Sequence, residues 1–399
     1  TRVRPFAKDQ SVIKEVTTTM NQPIYLDYNA TTPHDPEVIE AMKPFLTNHF
    51  GNPSSSHWYG AQTRNAVEKA REQVASLLKC LPNEVVFTSG GTESNNYAIK
   101  GVAFSHRDKG NHIITSQVEH PAVIEVCNFL EEHGFEVSYL PVDEFGMVEV
   151  SNVEKAITPK TILITIMHAN NEVGTIQPVE KISELARRNG ILFHTDAAQS
   201  VGKIPVHINQ MGVDLLSVAG HKLYGPKGVG ALYIRHGVQL AKLMHGAGHE
   251  SGRRPGTENV LEIVGLGKAC EIASRDLVKN ADHMRQMRDR LVLGLQESNG
   301  AIQLNGHPEQ RLPNTANLSF RNIRAADLIT QIDDNVAVSA GSACHSCDQV
   351  TISPVLLAMN VPMDWAMGTV RFSVGKFTSE SEIDKAIEIL SISLLNARE

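Results

Sequence analysis

The sequence has few of the features that mark secreted, membrane-spanning or nucleic-acid-binding proteins. Five cysteines in 399 residues are too few and too scattered for a disulfide framework. No apolar run approaches the roughly 20 residues that cross a bilayer, and residues 1–10 lack the apolar core of a secretory signal. A formal net charge of -7 gives no electrostatic reason to bind nucleic acid or an anionic membrane. We therefore expect a cytoplasmic protein that acts on a small molecule, or one of an organellar matrix if residues 1–19 are a processing remnant.

Short β-rich apolar runs alternate with helical stretches through the first part of the chain. The predicted strands are residues 85–88, 112–116, 136–140, 161–167, 191–195, 215–218 and 230–234. Such alternation is typical of an α/β fold, in which helices cover a mainly parallel sheet. A charged amphipathic run at residues 261–297 predicts a long helix that could bridge two domains. Beyond it, predicted strands at 316–320, 336–339 and 369–374 and a helix beginning near Ser379 indicate a smaller α+β unit.

Three polar clusters each follow a predicted strand, and the first is SGGTESNN at residues 89–96. Glycines such as Gly91 let the backbone approach a ligand, while the free N–H groups of a helix start and the Thr92 hydroxyl can hold a phosphate. Taken alone, these residues are equally typical of an ordinary strand-to-helix turn with a capping hydroxyl.

The other two clusters are HTDAAQ at residues 194–199 and GHKLYGPKG at residues 220–228. Asp196 ends a strand, where a carboxylate either caps a helix or meets a cationic ring nitrogen. Lys222 sits in a tight loop beside the interior, which can depress its amine pKa as an imine-forming nucleophile requires, whereas we interpret Lys227 as surface charge. A phosphate loop, a carboxylate and a lysine at strand ends are together what pyridoxal phosphate (PLP) requires.

The sequence resembles the cysteine desulfurases, class V enzymes of the PLP-dependent fold type I, over residues 25–397. The segments that carry the resemblance are YLDYNATT (25–32), FTSGGTESNN (87–96), VEH (118–120), HANNE (168–172), TDAAQ (195–199), HKLYGPKGVG (221–230), RPGT (254–257), SAGSAC (339–344) and RFS (371–373). The resemblance implies a large PLP-binding domain at residues 34–275 with a mainly parallel seven-stranded sheet. Residues 20–33 and 276–399 would form a smaller α+β domain, and residues 1–19 an N-terminal extension.

The resemblance also assigns roles around the cofactor ring. It implies that Lys222 bonds covalently to PLP and that Asp196 pairs with the pyridine nitrogen. Gln199 would hydrogen-bond the phenolic oxygen of the cofactor. His120 would stack on the ring and act as acid or base, which makes it both a catalytic and a cofactor-binding residue.

Further roles concern the phosphate and the substrate. The resemblance implies that the phosphate is held by Gly91, Thr92 and His221, and by Thr257 of a second subunit, and hence that the protein is a homodimer. Asn171, next to the cofactor, and Arg371 would hold the substrate carboxylate, because a guanidinium binds a carboxylate through two parallel hydrogen bonds. An amino acid is therefore the expected substrate, and L-cysteine is the one that the resemblance implies.

The loop SAGSACHSCD at residues 339–348 carries the predicted nucleophile, Cys344. We expect Lys222 to remove the substrate Cα proton and the Cys344 thiolate to attack the substrate sulfur, which leaves alanine and a persulfide. A free cysteine is usually a small buried residue. A loop of small and polar residues offers little apolar surface for burial, so the loop favours a reactive Cys344. Cys347, three positions after Cys344, could form a redox pair with it, or the two cysteines could form half of a zinc site. We expect no metal, because no second cysteine or histidine knuckle is present in the sequence.

Two departures from the family pattern bear on the assignment. Ala219 stands where many members carry a hydroxyl residue, so one phosphate contact is absent or replaced. Pro121 follows His120, where the selenium-specific relatives are expected to carry an acidic residue, and this favours sulfur over the alternative of a selenocysteine lyase. An aminotransferase or decarboxylase would not need Cys344, and a non-catalytic scaffold would not need Lys222. We expect the persulfide to be delivered to an acceptor protein, such as an iron-sulfur scaffold.

Overall fold

The computed structural model describes residues 22–298, 301–340 and 352–397. The predictions made for residues 1–19, Cys344 and Cys347 lie outside these ranges. The strands are β1 (Ile24–Tyr25), β2 (Val85–Thr88), β3 (His112–Ser116), β4 (Glu136–Leu140), β5 (Thr161–Thr165), β6 (Leu192–Asp196), β7 (Leu215–Ala219), β8 (Gly230–Ile234), β9 (Ile302–Asn305), β10 (Thr315–Phe320), β11 (Val336–Ala337), β12 (Ser339–Ala340) and β13 (Thr369–Ser373). The helices are α1 (Pro36–Thr47), α2 (Trp58–Leu78), α3 (Gly91–Ser105), α4 (Pro121–Glu132), α5 (Val150–Ala156), α6 (Val179–Arg188), α7 (Ile208–Met211), α8 (Val260–Ser298), α9 (Ala325–Ile332), α10 (Pro354–Ala358), α11 (Met363–Ala366) and α12 (Glu380–Asn396).

A seven-stranded sheet forms the centre of the fold, in the order β2-β8-β7-β6-β5-β3-β4. Its strands are parallel to their neighbours except β8, which is antiparallel to both β2 and β7. Each residue of β2, β3, β5, β7 and β8 is buried, as expected where helices cover both faces of a sheet. The predicted α/β fold with a mainly parallel seven-stranded sheet is confirmed.

The carboxyl ends of the parallel strands determine where a ligand can bind. β3 leads to the start of α4, β5 to residues 166–171, β6 to the turn after Asp196, and β7 to the turn that contains Lys222. Because parallel strands end at one edge of a sheet, these segments meet there. The edge strand β2 is antiparallel to β8 and therefore runs in the same direction as β7, so the start of α3, which follows β2, joins them at the same edge.

A second, four-stranded sheet follows the long helix α8. Its strands lie in the order β12-β13-β10-β9, and each pair is antiparallel. Apolar side chains of this sheet, of α9, α12 and the end of α8 share one core with Ile24 and Leu26. The domain boundaries at residues 20–33, 34–275 and 276–399 stay a prediction.

Helix α8 runs unbroken for 39 residues, which confirms the long helix predicted at residues 261–297. Its first part packs against α1 and α2, and its last part against α12. Within the described ranges, no helix combines the length and the apolar character needed to cross a membrane.

Candidate active site

A cavity of about 230 Å³ opens at the carboxyl edge of the seven-stranded sheet. The sequence-predicted residues that line it are Gly91, Thr92, His120, Asn171, Asp196, Gln199, His221 and Lys222. Residues more than 100 positions apart in the sequence thus meet at one site, which is the arrangement that the three polar clusters predicted.

Lys222 ends a short 3₁₀ turn, Gly220–Lys222, directly after β7. The turn needs glycine at its first position, since a Cβ on Gly220 would stand 2.9 Å from the carbonyl oxygen of Val229. Thr32 holds the turn from the N-terminal segment: its N–H and its hydroxyl both donate to the His221 carbonyl, at 3.0 and 2.9 Å. Hydrogen bonds to the N-terminal segment therefore hold the loop that carries Lys222.

The electrostatic surroundings of Lys222 favour the neutral amine. Loss of water around the side chain lowers its pKa, the Asp196 charge opposes this shift and the Arg371 charge adds to it, and together these effects lower the pKa to about 8. A lysine must be neutral to attack an aldehyde, so a depressed pKa increases the reactive fraction near neutral pH.

This pKa predicts how the cofactor-free protein reacts with PLP. About half of the Lys222 side chains are neutral at pH 8, and the neutral fraction falls about tenfold per pH unit well below that pH. We expect the rate constant of PLP incorporation to rise with pH, with a midpoint near pH 8, and to level off about one pH unit higher. Stopped-flow absorbance after mixing measures it, and a rate that still rises between pH 9 and 10 would assign an ordinary lysine to the reaction.

Asp196 lies at the end of β6, buried, with both oxygens engaged. Asn95 Nδ2 donates to Oδ2 at 2.7 Å, and the Ala198 N–H donates to Oδ1 at 2.9 Å. These bonds fix the orientation of the carboxylate. Asn95, on α3, was not singled out from the sequence, although it belongs to the SGGTESNN cluster.

His120 caps the N-terminus of α4, and Pro121 occupies the first position of that helix. The Nδ1 atom of His120 accepts a hydrogen bond from the Ala122 N–H at 3.1 Å, so in the neutral ring the proton is on Nε2. Desolvation lowers the pKa of this imidazole; the Asp196 charge opposes that effect and the Lys222 charge adds to it. A neutral ring whose Nε2–H has no hydrogen-bond partner in the part of the chain that the structure describes therefore lines the cavity.

The start of α3 forms the candidate phosphate site. Gly91 and Thr92 line the cavity at the first turn of this 15-residue helix, where backbone N–H groups lack helical partners. His221 lies nearby, and its Nδ1 is 3.1 Å from the Thr31 hydroxyl oxygen. Ala219 also lines the cavity, so a methyl group stands where the family pattern has a hydroxyl.

Arg371, on β13, lies beside Asn171 and the N-terminal segment. Its Nη1 donates to the Asn171 carbonyl at 3.1 Å, and its Nη2 to Asp27 Oδ1 at 2.8 Å and to the Ser339 hydroxyl at 3.0 Å. The buried Nε has no hydrogen-bond partner among the described residues. Asp27, which was not assigned a role from the sequence, thus orients the predicted carboxylate-binding residue.

Three predicted residues are not among those that line this cavity: Thr257, Cys344 and Arg371, the last of which contacts the lining residue Asn171. Thr257 lines a separate surface depression with Ser89 and Gly228, where an ion pair between Arg254 and Glu93, 2.9 Å long, holds its loop. Its role in a second subunit stays a prediction. Cys344 lies outside the described residues. Among the residues that are described, no cluster of three or more His, Cys, Asp or Glu side chains could hold a metal ion.

Buried polar residues behind the cavity were missed from the sequence. Glu119 accepts hydrogen bonds from the Ser116 hydroxyl and the Met167 N–H, and burial raises its pKa to about 8. Asn29 and Lys203 contact Gln199. Asn29 belongs to the YLDYNATT motif, which was a usable signal, whereas nothing in the sequence distinguishes Lys203 from a surface lysine.

Comparison with known proteins gives the class of the enzyme. The model of the "Aminotransferase class-V" family matches residues 24–386. A solved structure described as a NifS-like protein superposes with a TM-score of 0.88 at 40% identity, covering 94% of this chain and 100% of the other. The chain belongs to the class-V aminotransferases, a family that uses PLP.

A narrower group within that family is also shown. A cysteine desulfurase IscS of Dictyoglomus turgidum is 50% identical over 372 residues, 93% of this chain and 94% of the relative. A structure described as SspA in complex with cysteine gives a TM-score of 0.79 at 39% identity, covering 89% of this chain and 99% of that one. The chain is thus a member of the cysteine desulfurases, as the resemblance indicated.

Proposed function

We propose that this chain converts L-cysteine to L-alanine and transfers the sulfur to Cys344 as a persulfide, with PLP bound in the cavity. The observation that carries the proposal is that Lys222 and Asp196 line one cavity together with His120 and Gln199. Had the lysine and the carboxylate been on different faces of the molecule, neither could serve the same cofactor.

The residues present fit this cofactor. The free N–H groups at the start of α3 and His221 would hold its phosphate, Asp196 its ring nitrogen, Gln199 its phenolic oxygen and Lys222 its aldehyde carbon. When bound, PLP supplies an electron sink that stabilises negative charge on the substrate Cα. Two hydrogen bonds hold Asp196 in place as the partner of the ring nitrogen.

Two side chains that line the cavity would move protons during the reaction. Lys222, with its pKa lowered to about 8, exists partly as the neutral amine that can take the Cα proton. His120 keeps Nε2 free while Nδ1 is engaged by the backbone, so it can exchange a proton at Nε2 without losing its orientation. The pair provides a base and an acid on one cavity wall.

The sulfur step needs no external oxidant. The thiolate of Cys344 attacks the sulfur of the bound cysteine, a sulfur–sulfur bond forms, and the bond between the substrate Cβ and its sulfur breaks. The electron pair of that bond passes to carbon, which takes up a proton and leaves as alanine. One cysteine and one thiol thus become one alanine and one persulfide.

Arg371 is the residue that would select an amino acid. Replacing it by alanine removes charge-assisted hydrogen bonds worth about 1.5–3 kcal/mol, so we expect KM for cysteine to rise by about 10- to 100-fold. Steady-state alanine formation measures this change. Arg324→Ala is the control, because this arginine is exposed and its ion-pair partner among the described residues is the exposed Asp327. An unchanged KM for Arg371→Ala would exclude Arg371 from carboxylate binding.

The proposed function is tested by incubating the purified, PLP-loaded protein with cysteine. Alanine and protein-bound persulfide should appear in equal amounts in the first turnover. The same measurement with selenocysteine addresses the alternative: strict dependence on selenocysteine would replace the desulfurase assignment by that of a selenocysteine lyase. Pro121, at the position where an acidic residue is expected in selenium-specific relatives, supports cysteine.

The partners of the reaction follow from the same proposal. We infer a homodimer, because Thr257 lies outside the cavity of its own chain and would complete the phosphate site of a second copy. A thiol-bearing acceptor protein, such as an iron-sulfur scaffold, would take the persulfide sulfur. The relatives named IscS support this choice, and the cytoplasmic location stays a prediction.

A further inference from the structure

Lys203 is a buried lysine that the proposed chemistry does not use. Its residue surface is only 3% exposed. Its hydrogen-bond partners among the described residues are two neutral amide oxygens, Gln199 Oε1 at 2.8 Å and Asn29 Oδ1 at 3.2 Å. Burial and the charges of Lys222 and Arg371 hold its pKa well below the usual range. An apolar side chain at position 203 would avoid the free-energy cost of removing the lysine amine from water.

The two ends of the Gln199 amide are held by different partners. Lys203 Nζ donates to Oε1, and Nε2 donates to the backbone carbonyl of Asn29 at 3.0 Å. A carbonyl only accepts hydrogen bonds, so these contacts allow one orientation of the amide. Nε2 carries a second hydrogen, and Gln199 lines the cavity.

The position of Asn29 is fixed independently of Lys203. Its Nδ2 donates to the Thr315 hydroxyl at 2.8 Å and to the Asn171 carbonyl at 3.2 Å. Its Oδ1 also accepts from Asn314 Nδ2 at 2.9 Å. Asn29 is therefore held in a fixed position, and its backbone carbonyl accepts from Gln199 Nε2. Lys203 supplies the hydrogen bond to the other end of the amide, Oε1.

We propose that Lys203 is a positioning residue that fixes the Gln199 amide so that an N–H group, and not the amide oxygen, faces the cofactor. This inference rests on the proposed function, in which Gln199 hydrogen-bonds the phenolic oxygen of PLP. Without Lys203, Oε1 would be buried and unpaired, and the side chain could relieve this by turning its oxygen into the cavity. An N–H donor stabilises the ionised phenolic oxygen, which lowers the pKa of the protonated nitrogen that joins Lys222 to the cofactor.

The test uses the substrate-free, PLP-loaded protein, whose visible absorption changes as that nitrogen loses its proton. We expect Lys203→Met and Gln199→Leu each to raise the midpoint of the absorbance titration by about one pH unit. The double variant should show no further rise, because Lys203 acts through Gln199. Lys376→Met is the matched control: it removes another largely buried lysine, whose ion-pair partner among the described residues is Asp35 and not Gln199 or Asn29, and its midpoint should equal that of the unmodified protein.

Other outcomes overturn the inference. If Lys203→Met shifts the midpoint equally in the presence and absence of Gln199, Lys203 acts through its charge alone. If Gln199→Leu has no effect, the amide does not contact the phenolic oxygen, while alanine formation and the absorption band would still support the proposed function. Should Lys203→Met fail to fold, a crystal structure of the PLP-loaded protein decides, since Nζ out of hydrogen-bond distance from the Gln199 amide would refute the positioning role.

Discussion

Replacing Lys222 by alanine is expected to lower alanine formation from cysteine by about 10³-fold or more, within the range that positioned acids and bases contribute. The variant loses both the covalent attachment of the cofactor and the amine that takes the Cα proton. Alanine release at saturating cysteine gives the rate. Borohydride reduction followed by denaturation shows whether the cofactor is covalently bound, which we expect for the unmodified protein and not for Lys222→Ala.

Lys227 provides the matched control, since it lies in the same loop but is exposed. Lys227→Ala should retain the cofactor after reduction and keep its rate within about twofold, as expected of surface substitutions. If Lys222→Ala also retained covalently bound PLP after reduction, another lysine would carry the cofactor. The cavity would then need a different assignment, and the proposed function would lose the observation on which it depends.

Replacing Cys344 by serine should abolish protein-bound persulfide, although the cofactor still binds. A serine hydroxyl is a much weaker nucleophile than a thiol near neutral pH, so the attack on substrate sulfur fails. Mass spectrometry of the intact protein after one turnover detects the added sulfur atom. The visible absorption of bound PLP should be unchanged, because no described cofactor contact is altered.

Cys80→Ser is the control for this experiment. Burial and the charge of Glu84 raise the pKa of the Cys80 thiol to about 12, so it is not a nucleophile at neutral pH. The control should form persulfide normally. Cys347→Ser distinguishes two roles: persulfide that forms but no longer leaves for an acceptor would assign transfer to Cys347. Full persulfide formation by Cys344→Ser would place the sulfur on another residue.

The sequence predicts the sheet well because its strands are continuous apolar runs. β2, β3, β4 and β8 have the bounds expected from the sequence, and β5, β6 and β7 differ by one or two residues at one or both ends. The three polar clusters of the cavity were also found from local patterns, since each follows a strand and strands of a parallel sheet end at one edge. His120 and Asn171 were named only from the family resemblance.

The supporting contacts could not be predicted, because they join distant segments. Asp27 meets Arg371 across 344 positions, and Lys203 meets Asn29 across 174. A lysine near a helical turn has no local feature that distinguishes a buried side chain from a solvated one. Which polar residue lies behind an active site depends on how the N-terminal segment packs, and that is a property of the complete fold.

The hydrogen bonds that Asp27, Asn29 and Thr32 make to later parts of the chain affect when these contacts can form during synthesis. These residues are translated well before their partners: His221 lies 189 positions after Thr32, and Ser373 and Arg371 lie 344 positions after Asn29 and Asp27, respectively. The hydrogen bonds that join this segment to Arg371 and Ser373 therefore form only after most of the polypeptide has been translated, so the predicted carboxylate-binding residue is positioned late in synthesis.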